Sequence, residues 1–151
     1  MKGFDEISAE DKERLTLTGI NTENMEGRSG SFLLVNDHVY HAGSAAEGIE
    51  TLMIEQALEK YEWLKDYFWN IVPADKDEYT KYVAERPQRG YVIIAHKGAK
   101  ATFPLQSCMF LQGDTIQAVH NIVIAEEGSE IHLIAGCASS MDTKVGAHYG
   151  V

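Results

Sequence analysis

The groups in this chain that could do covalent or metal chemistry are two cysteines and six histidines. Cys137 stands in Ala135-Gly-Cys-Ala-Ser-Ser140, just past the end of an expected strand. Small neighbours let another backbone approach closely and leave a thiol reachable. The thiolate is the reactive form, and exposure beside a positive group favours it. Lys144 and His148 follow within one expected loop and can assist. The competing reading is a plain buried cysteine, among the most buried residue types. Cys108, inside the apolar run Leu105-Gln-Ser-Cys-Met-Phe-Leu111, reads as structural, because burial raises a thiol and blocks access. It lies 10 residues after Gly98, whereas Cys137 lies 9 after Gly128. In stacked strands the two would be near neighbours, which would suit a shared metal, a disulfide or a sulfur relay. The one-residue difference turns their side chains to opposite faces unless a bulge intervenes.

The histidines are His38, His41, His96, His120, His132 and His148. His120 and His132 fall on consecutive expected strands and can face each other. Neither paired CxxC nor HExxH is present, so the usual zinc signatures are missing and the metal ligands stay undefined. Gly27-Arg-Ser-Gly30 is too short for a P-loop and lacks its Lys-Ser/Thr. There is no GxSxG elbow.

These residues need elements to position them. Ser8-Ala-Glu-Asp11 is a helix start, with a hydroxyl to accept from an orphan N–H and acids in the positive first turn. Gly19 is its expected left-handed stop. Asn21 to Gly30 reads as a connector. Ser31 to Asn36 and His38 to His41 read as a hairpin across Asn36-Asp37. Glu55 to Val72 predicts a long amphipathic helix, with Leu58, Tyr61, Leu64, Tyr67 or Phe68, and Ile71 on one face and Trp63 and Trp69 flanking it. That aromatic stripe serves either as core or as a partner-docking face. Asp75 to Glu85 predicts a further helix, stopped before Pro87. From Gly90 the pattern becomes β: strands are expected over Gly90–Ala95, Val119–Ala125 and Ile131–Ala135. Ile93-Ile-Ala-His-Lys-Gly98-Ala-Lys aligns with Val123-Ile-Ala-Glu-Glu-Gly128-Ser-Glu, with the glycines 30 residues apart. A period of 20–50 residues is the mark of a solenoid or stacked-hairpin architecture. Two ordinary hairpins with similar turns would look alike. The fold class that follows is α+β: an N-terminal helical or α+β region over 1–89, then strands over 90–151 forming the first coils of a right-handed parallel β-helix or stacked sheet.

The 151 residues carry a formal net charge of −10. Thirteen basic residues against 23 acidic ones argue against nucleic acid and against anionic membrane surfaces. No run approaches the ~18 apolar residues of a membrane span, and the start of the chain lacks the basic and apolar regions of a signal peptide. Two cysteines make no secreted disulfide framework, so a cytoplasmic location is expected.

His120-Asn-Ile-Val-Ile-Ala-Glu-Glu-Gly-Ser-Glu-Ile-His-Leu-Ile-Ala-Gly-Cys137-Ala resembles the entry to the β-helix of SufB/SufD proteins, the non-ATPase scaffolds of the SUF iron–sulfur assembly system. Lys60-Tyr-Glu-Trp-Leu-Lys-Asp-Tyr-Phe-Trp69 and Gly27-Arg-Ser-Gly-Ser-Phe32 resemble the N-terminal region of the shorter, archaeal-type members. The resemblance implies a scaffold without catalytic activity of its own, pairing with a SufB/SufD homologue and recruiting a SufC-type ATPase. It implies a sulfur-accepting role for Cys137 and places His148, in Gly146-Ala-His-Tyr-Gly-Val151, where the family carries a histidine. Cys108 remains a secondary candidate. Family members continue for hundreds of residues, so the chain reads as an excised or truncated N-terminal part. An Fe–S cluster is implied for the full-length assembly and none for this fragment. A stack cut after its first coils also predicts a homo-oligomer. Two rival classes are a His-rich, cupin-like metal-binding β-barrel and a stand-alone interaction module using the Trp63/Trp69 segment.

Overall fold

The structure is a computed structural model that describes residues 4–23 and 26–151. The first three residues, and residues 24 and 25 of the expected connector, lie outside them. After a 3₁₀ turn at Phe4–Glu6 comes α1 (Ala9–Leu17). The Ser8 hydroxyl accepts from the Asp11 amide at 3.1 Å, as its sequence dictates. At the other end Gly19 adopts φ +84°. Its N–H reaches the Thr16 carbonyl and that of Ile20 reaches the Leu15 carbonyl. This is a Schellman stop, closed by the apolar pair Leu15 and Ile20 in one cluster.

A hairpin follows, β1 (Gly30–Val35) and β2 (His38–Ser44), turning at Asn36 with φ +53°. Then come β3 (Ile49–Met53), α2 (Ile54–Lys60), a 3₁₀ turn at Glu62–Asp66 and α3 (Glu78–Ala84). Asp77 and Thr80 cap α3 reciprocally. The rest is strand: β4 (Tyr91–Ala95), β5 (Leu105–Leu111), β6 (Ile116–Val119), β7 (Ile122–Ala125), β8 (Leu133–Ser139) and β9 (Ala147–Gly150).

The strands form three sheets, in the orders β2-β1-β5-β8, β3-β4-β7 and β6-β9. From β4 onward the chain passes twice through the same three sheets. Each second-pass strand lies parallel to its first-pass counterpart, with Ile93 opposite Val123, Cys108 opposite Gly136 and Gln117 opposite His148. These are steps of 30, 28 and 31 residues. The 30-residue repeat read in the sequence is thus one real spatial step. Gly98 and Gly128 share φ +73°, and Lys100 bridges to Glu130 in parallel. Dropping two residues before β8 keeps the inward–outward alternation, since the side-chain period is two.

Alternate residues of the strands sort the core into three. Phe32, Leu34, Tyr91, Ile93, Leu105, Met109 and Val119 face one another between the sheets. Leu33, Val35, Cys108 and Phe110 take the other face of the four-stranded sheet, under Leu15 of α1. Val92, Ile94 and Ile122 pack outward against Ile54, Ala57 and Leu64.

The α+β class stands, with corrections. The stretch before Pro87 holds the expected hairpin and one strand not expected there, β3, and the ladders β1–β5 and β3–β4 pair it with the later strands. The helix expected over Glu55–Val72 ends at Lys60, because Tyr61 turns extended (φ −121°, ψ 97°). Its hydroxyl reaches the Glu50 carboxylate, and the aromatic run beyond it has weak helix propensity. Leu64 and Phe68 still pack inward, while Ile71 is exposed. The expected Val119–Ala125 strand breaks at a corner, where Asn121 accepts the Tyr91 N–H. The third expected strand runs through Ser139 instead of ending at Ala135, so Cys137 lies within it. Among the described residues no sheet closes on itself, which removes the cupin-like barrel.

Two glycines should separate sharply in cost. Gly90 has φ +117°, and a Cβ there would stand 2.2 Å from the His120 carbonyl oxygen. Gly98 is also left-handed, but its Cβ would meet nothing within 4 Å. Gly98→Ala should cost about 1 kcal/mol of backbone strain, and Gly90→Ala more than about 3 kcal/mol because backbone must move. Urea unfolding of the two variants checks the order.

Candidate functional site

Cys137 sits on β8, the last strand of its sheet, in register with Met109 of β5. Parallel neighbours share a face, so its side chain joins the inward row that includes Leu105, Met109 and Leu133. The residue is exposed because no strand lies beyond β8 among the described residues. Its sulfur, turned toward that row, is still desolvated enough to push the thiol above its ordinary value.

Cys108 lies opposite Gly136 and points the other way, into the cluster beneath α1. Burial, with a smaller contribution from the charge of Cys137, pushes its thiol up to about 12. Both cysteines are free. Facing away from each other on adjacent strands, they cannot form a disulfide without backbone movement. The one-residue offset in the sequence decides this, with no bulge to undo it.

His148 lies on β9, opposite Gln117 of β6. Its Nδ1 is 2.9 Å from Gln117 Oε1, and the Gln117 amide nitrogen donates to the Asn36 carbonyl at 2.7 Å. Gln117 is buried and the His148 ring half-buried, which lowers the imidazole below its ordinary value. His148 also lines a cleft of about 420 Å³ between α3 and β9. Lys144 lies in the loop between β8 and β9, where its N–H and that of Val145 both donate to Asp114.

The remaining histidines are dispersed. His120 is buried in an aromatic box, stacked on Phe68 at 5.0 Å and beside Trp69 at 4.2 Å. Burial lowers it to about 4. His132 is exposed, so the expected His120/His132 pair does not meet. His38 contacts Asp37 at the hairpin turn. Burial, then the charge of Arg28, lowers His41.

His96 bonds Glu50 at 2.8 Å. Glu50 is a hub that sequence reading missed. Burial alone would raise its carboxyl, but hydrogen bonds from Lys60, Tyr61 and His96 hold it at about 2. Its partners are 10, 11 and 46 residues away. No local motif could announce it, and the same holds for Gln117. Among the described residues no three His, Cys, Asp or Glu side chains come together as a metal site.

A stacked α+β fold with a thiol on its outermost inward row is the class these observations define. Comparison with known proteins fills in the rest. The chain is 42% identical, over 98% of its length, to an iron–sulfur cluster assembly SufBD family protein of Archaeoglobus fulgidus. A protein of the same description from Methanothermobacter thermautotrophicus is also 42% identical, over 97% of the chain. One from Pyrococcus horikoshii is 26% identical over 98%. The chain is therefore homologous to SufBD family proteins, archaeal ones among them, as its motifs indicated. It spans about two fifths of the length of these first two relatives, 41% and 37%. No protein-family model matches it. No helix is long and apolar enough to cross a membrane.

The His120 box makes stability depend on pH. The unfolded imidazole titrates near 6.5 and the folded one near 4. Between these values the unfolded chain binds more protons, so this contribution is full above pH 6.5 and is lost as pH falls toward 4. The difference between wild type and His120→Phe, which keeps the aromatic stack, should shrink across that window by at most about 3 kcal/mol. Urea titrations at pH 7.5 and pH 4.5 measure it; parallel curves for the two proteins would refute it.

Proposed function

We propose that this chain is the N-terminal part of a SUF-type scaffold subunit, in which the two passes β4–β6 and β7–β9 begin a right-handed parallel β-helix. The observation that carries this reading is the near-constant step of 30, 28 and 31 residues in three parallel ladders whose last strands all belong to the second pass. A solenoid is a stack of such passes, each contacting only its neighbours. The relatives' description as iron–sulfur cluster assembly proteins supports the role. In it the subunit pairs with a SufB/SufD-type homologue and a SufC-type ATPase, and acts as a scaffold.

Cys137 is the sulfur acceptor in this reading. Its thiolate attacks the outer sulfur of a donor persulfide, forming Cys–S–SH and releasing the donor thiolate, with no net oxidation. Its raised thiol must first lose a proton, so a neighbouring base or cation in the complete assembly would speed the step.

With a small-molecule persulfide under native conditions, peptide mass spectrometry should find the added sulfur on Cys137, and Cys137→Ser should abolish it. Sulfur loading on Cys108, or on neither residue until the protein unfolds, overturns the assignment.

Open parallel edges are templates for further strands. The isolated chain should accordingly associate through β7, β8 and β9. Light scattering of a concentrated sample should report a dimer or larger species, and a clean monomer at high concentration would refute it.

A further inference from the structure

Two hydroxyl-bearing side chains, Tyr91 of β4 and Ser107 of β5, lie buried among the apolar residues between the sheets. Ser107 Oγ donates to the Tyr91 hydroxyl at 3.5 Å. That contact uses an acceptor position of the phenol and leaves its own O–H unspent. A hydroxyl is costly to bury unpaired, so an unspent buried donor calls for a partner.

The register shows what lies beside it. Ser107 alternates with Leu105 and Met109, so it faces inward. It stands opposite Phe32 of β1 on one side and Ala135 of β8 on the other. The Tyr91 ring packs edge-on against that same Phe32, with centroids 5.3 Å apart. Its backbone is pinned at the corner, where its N–H donates to the Asn121 side chain at 3.2 Å. Met109, two residues on from Ser107, stands opposite Cys137. The phenol and the thiol thus share one inward surface, and the inward side chain next to Cys137 along β8, that of Ala135, is a single methyl. Burial raises the phenol above its ordinary value, against a smaller lowering by Ser107, and negative charge on Cys137 adds to the rise. The phenol therefore keeps its proton when the thiolate forms.

We infer that Tyr91 supplies the hydrogen bond that stabilises negative sulfur at Cys137, and that Ser107 is the positioning residue that aims it. A hydrogen bond to an ionised acceptor is about twice as strong as a neutral one and favours the charged form. The same donor serves the anionic persulfide, whose outer sulfur reaches one S–S bond, about 2 Å, beyond the thiol sulfur. This use of the donor rests on Cys137 being the sulfur acceptor. The phenol lends a hydrogen bond and keeps its proton, so the balance of the transfer step is unchanged. It does not take the proton of the thiol, and the base must still reach the sulfur from the open side.

The pH profile of Cys137 alkylation by iodoacetamide, read by peptide mass spectrometry on the whole chain, tests the donor. Tyr91→Phe keeps the ring against Phe32 and removes only the hydroxyl. The profile should move up by about one pH unit, a roughly tenfold loss of thiolate at a given pH. Ser107→Ala should move it the same way by less. Continued protection of the buried Cys108 shows that each variant is folded. An unmoved or lowered profile in a folded Tyr91→Phe overturns the proposal. Where Tyr91→Phe exposes Cys108, the wild-type chain carrying ¹³Cζ-labelled tyrosine decides instead. The Tyr91 resonance should shift as Cys137 ionises and lose that step in Cys137→Ser; a resonance blind to Cys137 overturns the proposal. Alkylation reads the thiolate and not sulfur transfer. Failure of Cys137 to accept sulfur therefore leaves these results standing, and an unmoved profile leaves the acceptor assignment standing.

Discussion

The structure depends on one repeated contact, the parallel backbone ladder between the first and second pass of the chain. It sets which side chains share a row, and hence where Cys137, Cys108 and His148 point. Charge at the turns helps to hold the register. The first turn carries His96, Lys97 and Lys100, and the second carries Glu126, Glu127 and Glu130. Lys97 meets Glu127 at 2.7 Å, His96 Nδ1 lies 3.6 Å from Glu126, and Lys100 lies 3.8 Å from Glu130. Exposed pairs of this kind are worth about 0–1 kcal/mol each. Their importance lies in specificity: a slip by one residue would break all three together and turn every inward side chain outward.

The helices close the outer faces of this stack and shape the strand that carries the thiol. The Arg14 guanidinium of α1 donates to the Ser139 carbonyl at 2.5 Å, at the end of β8. Gly136 lies under the end of the same helix, where a Cβ would meet Thr18 at 3.4 Å. A side chain at that position would make ordinary van der Waals contact with α1 on the opposite face, so the glycine is not what exposes the thiol. Access comes from the edge position of β8.

What was legible in the sequence was local or strictly periodic. Ser8 and Gly19 bound α1 through hydrogen bonds that need no distant partner. The Gly98/Gly128 alignment survived because its step is unbroken through Glu130. Legibility failed where tertiary partners overrode propensity. Tyr61 leaves the helix to reach Glu50, and Trp69 adopts φ +58° beside His120. It failed again where the period changed. The loop before β9 is three residues longer than its first-pass counterpart, so no single alignment could place His148 opposite Gln117.

The edge explains the exposure that Cys137 has and Cys108 lacks. Each inward position of the first pass is covered by the second, and each inward position of the second is not. Ile93 is 1% exposed, whereas Val123 in the next pass is 44% exposed. Met109 is 5% exposed, whereas Cys137 beside it is open to solvent. Identical rows thus give opposite environments, and the difference is coverage by a further pass. A thiol on such a row is reachable only while its edge is uncovered, and coverage would desolvate it as burial has already desolvated Cys108. Sulfur acceptance at Cys137 in a longer stack therefore requires either that the row opens or that the covering pass supplies a polar group beside the sulfur.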